Sequence, residues 1–81
     1  MKPEIRYPCQ WYYKIIGADR QRILDTVPTL FEHCDYHLSE SNRSRTGKYT
    51  SFHFSLQVHS EEERNVIFSA LKSIPTVKIV F

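Results

Sequence analysis

Polar and apolar residues alternate almost without fault from Tyr49 to His59. Thr50, Phe52, Phe54, Leu56 and Val58 form one set, and Tyr49, Ser51, His53, Ser55, Gln57 and His59 form the other. Strand side chains change face with every residue, so this segment predicts a strand with one buried face and one wet face. A sheet covered on one side only is usually antiparallel. A second strand is predicted over Gln10–Ile16, where Trp11, Tyr13 and Ile15 alternate with Tyr12, Lys14 and Ile16, and Gly17 ends it.

Two segments have helical rather than strand spacing. Asp19 is placed to cap a helix carrying Ile23, Leu24, Val27, Leu30 and Phe31. Pro28 falls inside it and predicts a kink or a two-part helix. Ser60 with Glu63 makes a capping-box pattern, and Glu61–Glu63 suit the positive end of a helix dipole. Val66, Ile67, Ala70, Leu71 and Ile74 then form an apolar stripe, and Pro75 stops the helix. Tyr36–Glu40 predicts a short edge strand, Ser41–Lys48 a polar hairpin loop with Asn42 and Gly47 as turn residues, and Thr76–Phe81 a last strand. In that last strand Val77, Ile79 and Phe81 are expected on one face.

The element order is β-α-β-β-α-β. Right-handed crossovers and a single helix layer turn that order into a ferredoxin-like α+β sandwich. Its sheet has four antiparallel strands, with the first and third in the middle and two helices on one face. Residues 1–9, with Pro3 and Pro8, read as an extended lead-in to one domain over residues 10–81. At 81 residues there is no room for a second core. The net charge of +2 is too small to argue for nucleic acid by itself. Cys9 and Cys34 make one pair at most, fewer than a disulfide-built domain of this size uses. No apolar run approaches the roughly 20 residues that span a bilayer, and the N-terminus lacks a signal-peptide pattern. These features suggest a reduced, cytoplasmic protein without a membrane partner.

Several segments together carry a family resemblance. They are Tyr7-Pro8, Tyr13-Lys14-Ile15-Ile16-Gly17, Gly47-Lys48-Tyr49-Thr50-Ser51 and Val77-Lys78-Ile79-Val80-Phe81. In this order and at this length the chain resembles the YbeD-like family, small bacterial proteins of unassigned molecular function. That resemblance implies an ACT-like, ferredoxin-like fold. Separately, Gly17-Ala18-Asp19-Arg20-Gln21-Arg22-Ile23-Leu24 is similar to the first turn of ACT regulatory domains, where Gly-x-Asp-Arg-Pro-Gly-x-Leu is common. By that resemblance Gly17, Asp19 and Arg22 would contact an amino-acid-type ligand, its carboxylate meeting exposed helix amides. Gln21 and Arg22 replace the Pro and Gly of that pattern, so Arg22 either blocks the approach or supplies the carboxylate contact.

Other chemistry has less support in the residues present. Cys34 and His37 are three apart beside His33, but a second such pair for a zinc site is missing. No set of catalytic roles can be assembled, so neither an enzyme nor a cofactor is expected. Tyr12 and Tyr49 beside Lys14 and Lys48 could stack single-stranded RNA, although Thr50 and Ser51 depart from the usual RRM pattern. The preferred reading is a non-enzymatic, ACT-like regulatory or protein-interaction module that binds a protein partner or itself. Its contact residues would be Tyr12, Lys14, Tyr49, Ser51 and His53 on the open face, with Arg43, Arg45 and Lys48 at the rim.

Overall fold

Two strands lie at the middle of the sheet, and they are the two that alternation singles out. In the computed structural model, which describes residues 6–43 and 48–81, β1 (Cys9–Gly17) pairs antiparallel with β3 (Thr50–Val58). The register runs unbroken from Cys9 opposite Val58 to Gly17 opposite Thr50. β2 (Tyr36–Arg43) flanks β3, and β4 (Val77–Val80) flanks β1, giving the order β2-β3-β1-β4 with every pairing antiparallel. Helices α1 (Arg20–Leu30) and α2 (Glu61–Lys72) complete a ferredoxin-like βαββαβ arrangement.

The apolar half of β3 is the floor of the core. Phe52, Phe54, Leu56 and Val58 are buried, as are Tyr13 and Ile15 of β1. Phe54 holds the centre, with the rings of Phe31, Tyr36 and Tyr13 at 5.0, 5.5 and 6.2 Å between centroids. These rings come from β3, β2, β1 and the residue that ends α1. Offset and edge contacts of this kind add to the gain from burial. Truncating such a Phe to Ala typically costs about 3–5 kcal/mol.

The caps form where the sequence places them. The Asp19 carboxylate accepts the Arg22 amide at 3.1 Å, and the Ser60 hydroxyl accepts the Glu63 amide at 3.0 Å. The Glu63 carboxylate lies 3.2 Å from His59 Nδ1. Pro28 does not split α1. The helix runs as one segment and ends two residues later, with the Phe31 amide donating to Val27 O at 3.0 Å. The proline removes a single bond close to the end, where little helix remains to be lost.

Several boundaries and faces differ from the expected ones. β1 begins at Cys9 and runs through the buried Gly17. β2 extends to Arg43, so Ser41–Arg43 belong to the strand and not to the hairpin loop. A bulge between Glu40 and Arg43 absorbs one extra residue there. Leu30 and Val66 are exposed: Ile23, Val27 and Phe31 line the inner face of α1, as Ile67 and Leu71 do for α2. Both outliers fall on the flanks of those stripes.

The largest change is in β4. Ile16 pairs with Ile79, but Gly17 pairs with Val77, so Lys78 is skipped. The skip reverses the side-chain parity: Val77 packs against the core and Val80 is buried, while Ile79 and Phe81 are exposed. Val77, Ile79 and Phe81 therefore do not share a face.

Gly17 is required at the same crowded corner. A Cβ on it would lie 2.6 Å from Ile23 Cδ1 and 3.2 Å from the Thr76 carbonyl oxygen. Gly17→Ala should therefore lower stability by about 1–3 kcal/mol in a denaturant titration, as overpacking does. An unchanged midpoint would show that Ile23 moves aside freely.

Tyr13 supplies a second test. Its hydroxyl donates to the Arg64 carbonyl at 2.8 Å. Burial pushes the phenol above its ordinary value of 10.0, Arg64 pulls it back, and Tyr7 adds to the rise. The unfolded chain thus loses the proton first. Stability from this group is complete below about pH 10 and is lost as pH climbs through the raised folded value. Tyr13→Phe should cost about 1 kcal/mol at neutral pH by removing the hydrogen bond. Its urea midpoint should fall less than that of the wild type above about pH 10; parallel decline of the two proteins would refute the assignment.

Candidate functional site

The open face of the sheet is set by register. Lys14 lies opposite His53, and His53 opposite Ser39. One step along, Tyr12 faces Ser55 and Ser55 faces His37; one step the other way, Ile16 faces both Ser51 and Ile79. Lys14 and Phe81 exchange two backbone hydrogen bonds, at 2.7 and 3.0 Å, which places the Phe81 side chain beside Lys14. Tyr12, Lys14, Ser51 and His53 thus come together on one surface. Tyr49 stands just ahead of β3 with Lys48 Nζ 5.7 Å from its ring centroid. Arg43 is the last residue of β2, and Arg45 lies outside the described residues.

Ile79 and Phe81 belong to this surface and were not singled out by the sequence. Tyr12 is 73% exposed, Phe81 64% and Ile79 49%. With Ile16 they make an apolar strip across the β1–β4 half of the face. Their burial could not be read from alternation, because Val77, Ile79, Val80 and Phe81 occupy both parities. The bulge at Lys78 makes the choice. Among the described residues that register assigns to this face, none is Asp or Glu.

The turn after β1 holds Gly17, Asp19 and Arg22 close in sequence and is tightly packed at Gly17. Ile23 and the Thr76 carbonyl occupy the room left by the missing Gly17 side chain. The Ala18 amide donates to Thr76 O at 3.0 Å, and the Arg22 amide is taken by Asp19. The Ile23 amide donates to Asp19 O at 3.3 Å. Asp19 and Arg22 are exposed on the outer side. Arg20 binds Glu40 and ties this turn to β2.

Thr76 has a positive φ of 72°, a strained conformation for a β-branched residue. It aims the carbonyl that Ala18 uses.

At the far end of the sheet, His33, Cys34, Asp35, His59 and Glu63 border a cleft of about 180 Å³. His33 reaches Glu32 at 3.3 Å; the exposed Cys34 and the half-buried Cys9 are both free thiols. His37, which the sequence sets three residues from Cys34, is paired opposite Ser55 on the open face. Among the described residues, no group of three or more His, Cys, Asp or Glu side chains is placed to hold a metal ion. No helix among them is long and apolar enough to cross a membrane.

Comparison with known proteins agrees with the fold. An uncharacterized protein of Helicobacter pylori strain 26695 is 35% identical over 81 residues, covering 94% of this chain and 88% of the relative. A UPF0250 protein of Hahella chejuensis is 33% identical over 82 residues, covering 96% and 90%. The solution structure of protein HP0495 from H. pylori matches with a TM-score of 0.85 at 30% identity, over 99% of this chain and 88% of that one. Residues 2–81 match the family described as "Protein of unknown function (DUF493)". The YbeD-like resemblance of the sequence thereby holds, and the chain belongs to this DUF493 family.

Proposed function

We infer that the protein is a non-enzymatic, ACT-like regulatory module of the cytoplasm that works by docking a protein partner on its open sheet face. The observation that carries this reading is the exposed strip of Tyr12, Ile79 and Phe81 beside Lys14 and His53. Clustered aromatic and aliphatic side chains with a neighbouring cation are what interface centres are built from. A sheet with helices on one side only leaves such a strip available. Ser51 and Tyr49 extend the surface along β3, with Lys48 beside the Tyr49 ring. Arg22 stands where the ACT-type turn has its approach glycine and its amide is already bound by Asp19, so the small-ligand alternative at Gly17, Asp19 and Arg22 has less support.

Phe81→Asp and Tyr12→Ala should leave stability within about 0.5 kcal/mol, because both side chains are exposed. Immobilised wild-type protein should retain a partner from cytoplasmic extract, and both variants should lose most of it. Equal recovery by wild type and variants would sink the reading.

A second reading has its own observation: Tyr12 and Phe81 are exposed aromatics that flank Lys14, an arrangement suited to stacking single-stranded RNA. It predicts that a labelled oligo-uridine binds at low salt and is released as salt rises from about 50 to about 200 mM. It also predicts weaker binding by Tyr12→Ala. An anisotropy titration without change at the lower salt would remove this alternative.

A further inference from the structure

We propose that the open face takes an acidic amphipathic helix. The inference rests on the docking reading above and names the chemistry of the partner.

The first argument is shape. A helix layer already covers one side of the sheet, with Ile23 and Val27 of α1 and Ile67 and Leu71 of α2 buried against it. The bare side offers a second apolar strip formed by Tyr12, Ile16, Ile79 and Phe81. A partner helix can lay its own apolar stripe along that strip, completing a three-layer arrangement.

Charge is the second argument. Lys14 sits within the strip, between Tyr12 and Ile16 along β1 and opposite both His53 and Phe81. No described residue assigned to the face is a carboxylate, whereas Glu61, Glu62 and Glu63 belong to the helix layer. A helix seated on Tyr12 and Phe81 must bring a flanking residue over Lys14. A Glu or Asp there gains a charge pair, while a Lys there meets a like charge in a partly dehydrated contact.

The third argument is area. Strands of nine, eight, nine and four residues at about 3.3 Å each, with neighbours about 4.8 Å apart, make a face of roughly 500 Å² in projection. That falls short of the roughly 800 Å² per partner in a stable interface between whole domains, and it suits a single helix. Two-fold stacking of two copies would also set two cation-bearing, carboxylate-free faces together. RNA fits less well, because Ile16 and Ile79 in the strip provide neither a stacking ring nor a polar edge.

The probes are two synthetic helices of about 16 residues with the same leucine stripe, one flanked by Glu and the other by Lys. ¹⁵N-labelled protein is titrated with each, and with oligo-uridine. The Glu-flanked helix should shift the amides of Tyr12, Lys14, Ile16, Ile79 and Phe81 and bind at least about tenfold tighter than the Lys-flanked helix. Lys14→Glu should reverse that order.

Equal binding of the two helices, binding of neither, or shifts centred away from β1 and β4 would overturn the proposal. So would tighter binding of oligo-uridine, or sedimentation as a dimer through this face. If both helices fail while Phe81→Asp still abolishes partner capture, the acidic helix falls and the docking reading stands. If Phe81→Asp leaves capture intact, the docking reading itself falls.

Discussion

Nine residues of β1 face nine residues of β3 without a slip, and the rest of the chain leans on that pairing. It brings Tyr13 and Ile15 beside Phe52, Phe54 and Leu56, making a floor on which both helices can lie. A shift of one residue would set Tyr13 and Ile15 opposite the polar set Ser51, His53 and Ser55, so that one of the two strands turned its apolar side outward. The register therefore creates the core and the open face together. Phe54 locks it by touching aromatic rings from two other strands and from the end of α1.

The corner around Gly17 is the second constraint. β1 ends there, α1 starts directly after its cap Asp19, and the segment before β4 closes over it through Thr76. Ile23 and the Thr76 carbonyl fill the space where a side chain at position 17 would stand. The exposed apolar residues lie instead on the surface of the sheet, where Ile79 and Phe81 extend the residues of β1.

The fold was legible because its signals are local and agree with one another. Asp19 and Ser60 cap where their side chains allow, Ile23/Val27 and Ile67/Leu71 repeat at helical spacing, and β3 alternates over its full length. The site was legible in part. Tyr12, Lys14, Ser51 and His53 follow from strand parity alone once β1 and β3 are assigned. Ile79 and Phe81 do not, since β4 is apolar on both parities and its orientation is decided by a bulge against β1.

By itself the sequence determined the order of elements, the caps, the central strands and the polar half of their exposed face. It could do so because capping, helical spacing and strand alternation each depend on residues a few positions apart. Tertiary structure alone decided that β2 reaches Arg43, that Pro28 lies within α1 without breaking it, and that Ile79 and Phe81 face outward. These outcomes depend on pairing between segments far apart in the chain. The bulge that skips Lys78 lies at the corner where Gly17, Ile23 and Thr76 meet, residues far apart in the chain.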